Sequence, residues 1–167
     1  MTPDAEAILR ARAASYARRG QLDRPDADTT AVVVIRVRTG LLALPLDRVD
    51  AVRSLPFTAG PPHGALLGIV VHHGAVVSVV DVAILLGETA SEVGEQALVA
   101  VVSTPAGPLA LLALDVVGTR EVGDAERQHV AIESGSVALW TTADGALFID
   151  PDRLADWPGV SLQPRRV

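Results

Sequence analysis

The sequence predicts an all-β protein built as two small barrels in tandem. Three observations carry that reading. Short runs of Val, Leu, Ile and Ala alternate with Gly, Pro, Asp and Ser punctuation from Thr30 onward, as strands alternate with turns. The order strand, Gly, strand, Asp, strand, loop, strand, Gly, strand, Asp, short helix occurs twice, at a spacing of about 67–70 residues. Hydrophobic residues make up 49% of the 167-residue chain and aromatics only 3%, so the core must be aliphatic.

The elements follow in chain order. Residues 1–20 read as a helix: Thr2 caps, Pro3 fits the first helical position, Asp4 and Glu6 favour the positive end of the dipole, and Gly20 stops it. Residues 21–29, "QLDRPDADT", are polar and turn-rich, a linker. "AVVVIRVR" and "LLALPL" flank Thr39-Gly40 as a first hairpin. Pro45 has no N–H to give a ladder, so it marks a strand end or an edge, and the chain turns at Asp47-Arg48 into the next strand. "LLGIVVH" and "AVVSVVD" flank His73-Gly74 as a second hairpin, and 82–86 forms a short helix. "ALVAVVS" and "LALLAL" flank "TPAGP" as a third. "SVALWTT" and "ALFID" flank Ala143-Asp144-Gly145 as a fourth, with Asp-Gly a strong tight-turn signal, and a second helical piece covers 151–157. The β body thus spans 30–156, as two intimately packed five-stranded subdomains at about 31–90 and 97–155, with a polar tail at 157–167. Neither half alone buries much surface, so the two must pack together.

Composition excludes several functions. The net charge is −6, which repels phosphate backbones, and no Lys/Arg cluster with interleaved aromatics offsets it, so nucleic acid is not expected as a partner. Cysteine is absent, which removes disulfides, thiolate nucleophiles and Cys-ligated metals. The apolar runs at 75–80 and 109–114 are far shorter than a bilayer span, and the Met1-Thr2-Pro3-Asp4 start lacks a basic-then-apolar leader pattern. A cytoplasmic protein without direct membrane insertion is expected.

No catalytic, cofactor or metal site is expected. Asp81, Asp115 and Asp150 each follow an apolar strand, and an aspartate-dependent all-β hydrolase would use such carboxylates. None of the three stands in an Asp-Thr-Gly or Asp-Ser-Gly signature, and turn formation and helix capping explain them better, Asp81 before "VAILL" and Asp150 before "PDRL". No Gly-x-Ser-x-Gly elbow or phosphate-cradling Gly loop is present. His72 and His73 are adjacent, and strand neighbours point to opposite faces, so they are not expected to share a metal.

Four ordered motifs carry a family resemblance. "ALPL" followed by Asp47-x-Val49-x-x-Val52, then "LLGIVVHHGAVVSVVDVAILLG" with Gly68, Gly74, Asp81 and Gly87, then Gly107 with "LALLALDVVGTREV", then Asp144-Gly145 with "FIDPDRL", resemble the CheW family of chemotaxis coupling proteins over about residues 30–156. The resemblance implies two five-stranded SH3-like barrels around a shared core. It implies a non-catalytic adaptor that bridges the cytoplasmic tip of a chemoreceptor and the regulatory domain of a CheA-like histidine kinase, in the cytoplasm at membrane-associated receptor arrays. The partner-contact positions it implies are Leu46, Val49, Val52, His73 and Gly74. Ala51, Val71 and His73 depart from the Glu, Asn and Arg that many members carry. Arg would make a fork-shaped contact that imidazole does not copy, so a diverged module serving a non-chemotaxis kinase or self-assembly is the alternative implied.

Overall fold

The computed structural model describes residues 29–129, 138–157 and 160; the expected helix at 1–20, the linker as far as residue 28 and nearly all of the tail lie outside them. The four expected hairpins form. Strands β1 (Thr29–Val37) and β2 (Gly40–Pro45) pair antiparallel from Val37↔Gly40 to Val32↔Pro45. A 3₁₀ turn at Leu46–Arg48 leads into the long β3 (Val49–His63). β4 (Leu66–His72) and β5 (Ala75–Val80) form the second hairpin, and helix α1 (Val82–Leu85) follows. β6 (Gln96–Thr104) and β7 (Gly107–Leu112) form the third. β8 (Asp115–Gly123) and the short β9 (Arg127–His129) precede the fourth, made of β10 (Ala138–Thr142) and β11 (Ala146–Ile149), and helix α2 (Pro151–Ala155) follows.

The turn glycines sit at matching places. Gly40 and Gly107 open the second strand of their hairpins at φ 141° and 115°, and Gly74 and Gly145 stand in the turn just before theirs at 77° and 81°. L-residues with a Cβ rarely adopt these values, which is why the punctuation was glycine in both repeats. Both helices are capped as expected. Asp81 accepts from the Ala83 N–H at 3.0 Å and also from the Ser91 N–H at 2.8 Å, and Asp150 accepts from the Asp152 N–H at 2.9 Å. Asp115 opens β8 and accepts from the Val116 N–H. All three carboxylates bond local backbone N–H groups, as turn and capping residues do.

The strands assort into a closed barrel, β3-β4-β5-β7-β6, and a six-stranded sheet, β8-β1-β2-β11-β10-β9. The expected subdomain limits of 31–90 and 97–155 do not coincide with these sheets. Each sheet takes its last strands from one repeat and a hairpin from the other. The barrel joins β3, β4 and β5 to the β6–β7 hairpin, through antiparallel β3–β6 and parallel β5–β7 contacts. The second sheet joins β8 to β11 with the β1–β2 hairpin through the same two kinds of contact, β1–β8 antiparallel and β2–β11 parallel. Hairpin exchange preserves the sequence repeat while moving the sheet boundary. Side chains draw the two ends of the larger sheet together: Arg127 of β9 donates to Thr30 of β1 at 2.6 Å, and Arg120 of β8 donates to Thr142 of β10 at 3.1 Å.

Pro45 is the last residue of β2. β2 is an interior strand, not an edge, but its pairing with β11 ends at Ala43, so the missing N–H at Pro45 breaks no ladder there.

Burial accounts for the unbroken aliphatic runs. Along β1, Val33, Ile35 and Val37 enter one core while Val32 and Val34 enter another. Along β6, Ala100 and Val102 face the first core and Ala97, Val99 and Val101 the barrel interior. β7 divides in the same way, with Leu109 and Leu111 against Ala110 and Leu112. The first core gathers residues of both sheets and of α2, and is the seam between them. In the second sheet, buried Trp140 stacks on Phe148 at 4.2 Å under the Arg127 guanidinium, while Phe57 packs on the barrel core and Trp157 on the first core.

Replacing Asp81 by Ala strands two backbone N–H groups beside a buried site and should lower stability by about 1–3 kcal/mol in urea unfolding, with Asp81→Asn recovering part of the loss. A second expectation concerns acid. The Asp144 carboxyl is lowered to about 2, first by the Arg120 guanidinium and then by the Thr142 hydroxyl. Its contribution is present above pH 3.8 and is lost as the pH falls through about 2. The pair is half exposed, so the gain is under about 1 kcal/mol. Asp144→Asn should therefore match the native protein near pH 2 and trail it slightly by pH 5 in thermal melts.

Candidate functional site

The implied contact residues lie around the start of β3. Leu46 is 41% exposed on the 3₁₀ turn that carries the chain from the six-stranded sheet into the barrel. Arg48 in the same turn bonds Asp152 of α2, which fixes the turn against the second repeat. Val49 and Val52 are half-buried and pack on the seam core, so both support the surface more than they form it. His73 and Gly74 are exposed at the tip of the β4–β5 hairpin.

β4 runs antiparallel to β3, so its end returns toward the start of β3, where Asp50 stands. There the adjacent histidines converge. His72 is buried, and its Nε2 lies 2.5 Å from Asp50 Oδ2. His73 Nε2 lies 3.8 Å from the same oxygen, and the two rings are 4.1 Å apart at their centroids. The expectation that the two rings diverge is corrected by the backbone. His73 has φ 48°, the left-handed region, and leaves the strand pleat at the turn. The hydrogen bond from His72 is the main cause that holds the Asp50 carboxyl below its usual value, aided by the charges of both histidines. Sequence reasoning did not single out Asp50; it lies 22 residues from His72, and only the barrel's return brings it near.

Two apolar patches are exposed as well. Val71 and Val76 pair directly across β4 and β5, with Ile69 beside them, at 55%, 66% and 38% exposure. Leu114, Val116 and Val117 lie exposed where the chain enters edge strand β8. A pocket on the larger sheet is lined by Val34, Val117, Gly118, Thr119, Arg120 and Asp144, and its two charged groups are paired with each other at 2.7 Å. No helix among the described residues is long and apolar enough to cross a membrane.

A doubled β body that exchanges hairpins across a shared core, and whose exposed features are apolar patches, a hairpin tip and a turn between sheets, defines a class of twin-barrel interaction modules. Residues 31–158 match the model of the CheW-like domain, and the chain belongs to that family. Among solved structures it is similar to the scaffolding protein TtCheW from Thermoanaerobacter tengcongensis, with a TM-score of 0.63 and 16% identity over 78% of this chain and 94% of that one. No curated protein matches significantly.

The capture of His72 by Asp50 bears directly on folding at low pH. Asp50→Asn removes the carboxylate that lowers the cost of the buried imidazole. It should reduce stability near pH 6, by an amount that shrinks as the pH falls below 3.8 and through the lowered pKa of Asp50; chemical unfolding at pH 6 and over a descending acid series measures this.

Proposed function

We infer that the protein is a non-catalytic adaptor of a chemotaxis-type signalling system, joining a CheA-like histidine kinase to the cytoplasmic tip of a chemoreceptor. The CheW-like match across 31–158 carries the reading, since that is a scaffold family. Leu46 supports it: a large apolar side chain exposed on a turn that is pinned to both repeats is suited to anchor a partner. The contact surface of this reading comprises Leu46, His73 and Gly74, with Val49 and Val52 as its floor.

Calorimetry with the regulatory domain of a CheA-like kinase and, separately, with a receptor tip fragment tests the reading. Binding of both is expected, and Leu46→Asp should weaken at least one of them about tenfold or more while leaving the melting temperature nearly unchanged. Absence of binding to either at high micromolar concentration overturns it.

His73 favours a second reading, because it stands where many members carry Arg and turns onto Asp50. In that reading the module serves a different kinase or binds itself. If the adaptor reading holds with only a weakened receptor contact, the double change Ala51→Glu, His73→Arg should strengthen receptor binding; if the module has left that role, the double change should strengthen nothing.

A further inference from the structure

We propose that Asp50, His72 and His73 form a binding site for a zinc-class divalent transition metal ion. The three side chains offer one carboxylate oxygen and two imidazole nitrogens, all within 4.8 Å of one another. Zinc bonds to nitrogen and oxygen run near 2.1 Å, which places tetrahedral ligand atoms roughly 3.4 Å apart. The His73–Asp50 separation of 3.8 Å is close to that figure. The His72–Asp50 separation of 2.5 Å is shorter, that of a direct hydrogen bond between the two groups. A metal ion takes that bond's place: the single ring proton of neutral His72 sits on Nδ1, Nε2 and Oδ2 both bond the ion, and Asp50 opens by about 1 Å. Asp50 can do so because half of its side chain is exposed.

The donor set selects the ion. Two imidazoles and one carboxylate, with no cysteine in the chain, suit Zn²⁺, Cu²⁺, Ni²⁺ and Co²⁺ and do not suit the all-oxygen preferences of Mg²⁺ or Ca²⁺. The three groups are held by different constraints. His72 is fixed by burial, His73 by the left-handed turn that swings its ring toward Asp50, and Asp50 by its place at the start of β3. His72 Nδ1 has no hydrogen-bond partner among the described residues, so the ligand lacks the usual orienting acceptor, which limits affinity. The His73 side chain is 75% exposed, so the site faces solvent on that side and a water completes the coordination.

The test is calorimetric titration of the tag-free full chain with Zn²⁺, repeated with Co²⁺ while recording visible absorption. Saturable one-to-one binding is expected, with the Co²⁺ spectrum of a four- or five-coordinate site, and Mg²⁺ should not compete. His73→Ala alters an exposed residue and should leave folding intact, yet weaken Zn²⁺ binding at least about tenfold. Asp50→Ala should weaken Zn²⁺ binding likewise, whereas His63→Ala at the far end of β3 should not. Undetectable binding, equal binding by the native protein and His73→Ala, or competition by Mg²⁺ each overturns the proposal. It stands apart from the adaptor reading, since it requires no partner protein.

Discussion

The structure depends on one apolar seam. Val33, Ile35, Val37, Leu42 and Leu44 from one sheet meet Val80, Ala100, Val102, Leu109 and Leu111 from the other, and Ile149 and Leu154 close the contact. Most of these side chains have a chain neighbour committed elsewhere, to the barrel interior or to the Trp140–Phe148 core. A strand that serves two cores cannot alternate apolar and polar residues; it must be apolar throughout. That requirement accounts for runs such as "AVVVI" and "ALVAVV", which an open one-sided sheet would not tolerate. It also accounts for the aliphatic composition. Val, Leu and Ala fill thin layers on both sides of a strand, whereas the stacked pair Trp140 and Phe148 occupies the core that carries a polar lid in Arg127.

Hairpin exchange is the second consequence of the seam. Each repeat supplies a leading hairpin and a trailing strand group. Had each repeat closed on itself, the parts would meet only at their outer surfaces. Crossing the hairpins threads the chain through the seam at each repeat, and the parallel contacts β5–β7 and β2–β11 occupy equivalent places in the two sheets. The short helices follow the same rule: each starts from a strand-end aspartate cap, and Val82 and Leu154 enter the seam.

These features were legible in the sequence to different degrees. The hairpins, their glycines and the aspartate caps were, because each rests on chemistry within a few residues. The repeat was visible too, but the assignment of 31–90 and 97–155 to separate barrels was not, because β3–β6 and β1–β8 pairing joins segments with nothing local to announce it. Leu46 came only through the family resemblance, since nothing in an apolar run ending at a proline announces which of its residues is exposed. The His72–His73–Asp50 arrangement was misread for a definite reason. Alternation of side chains holds only while the backbone stays extended, and one residue at φ 48° cancels it. The His-Gly dipeptide at a hairpin turn was the available signal, since a two-residue loop of this kind requires positive φ at its central positions.

The seam also sets how a surface of this protein can act on another. An adaptor of the proposed kind must hold two partners in a fixed relation, and a joint between its halves would let that relation drift. Here the joint is a close-packed aliphatic core, which resists shear because displacing one layer opens voids throughout it. Leu46 lies on the chain segment that crosses from sheet to barrel, and Arg48 ties that segment to α2 on the other repeat. A force applied at Leu46 is therefore carried by both halves at once. Among the described residues the β4–β5 tip is held by its own strands and by the Asp50 contact, which ties it to the start of β3 beside the Leu46 turn.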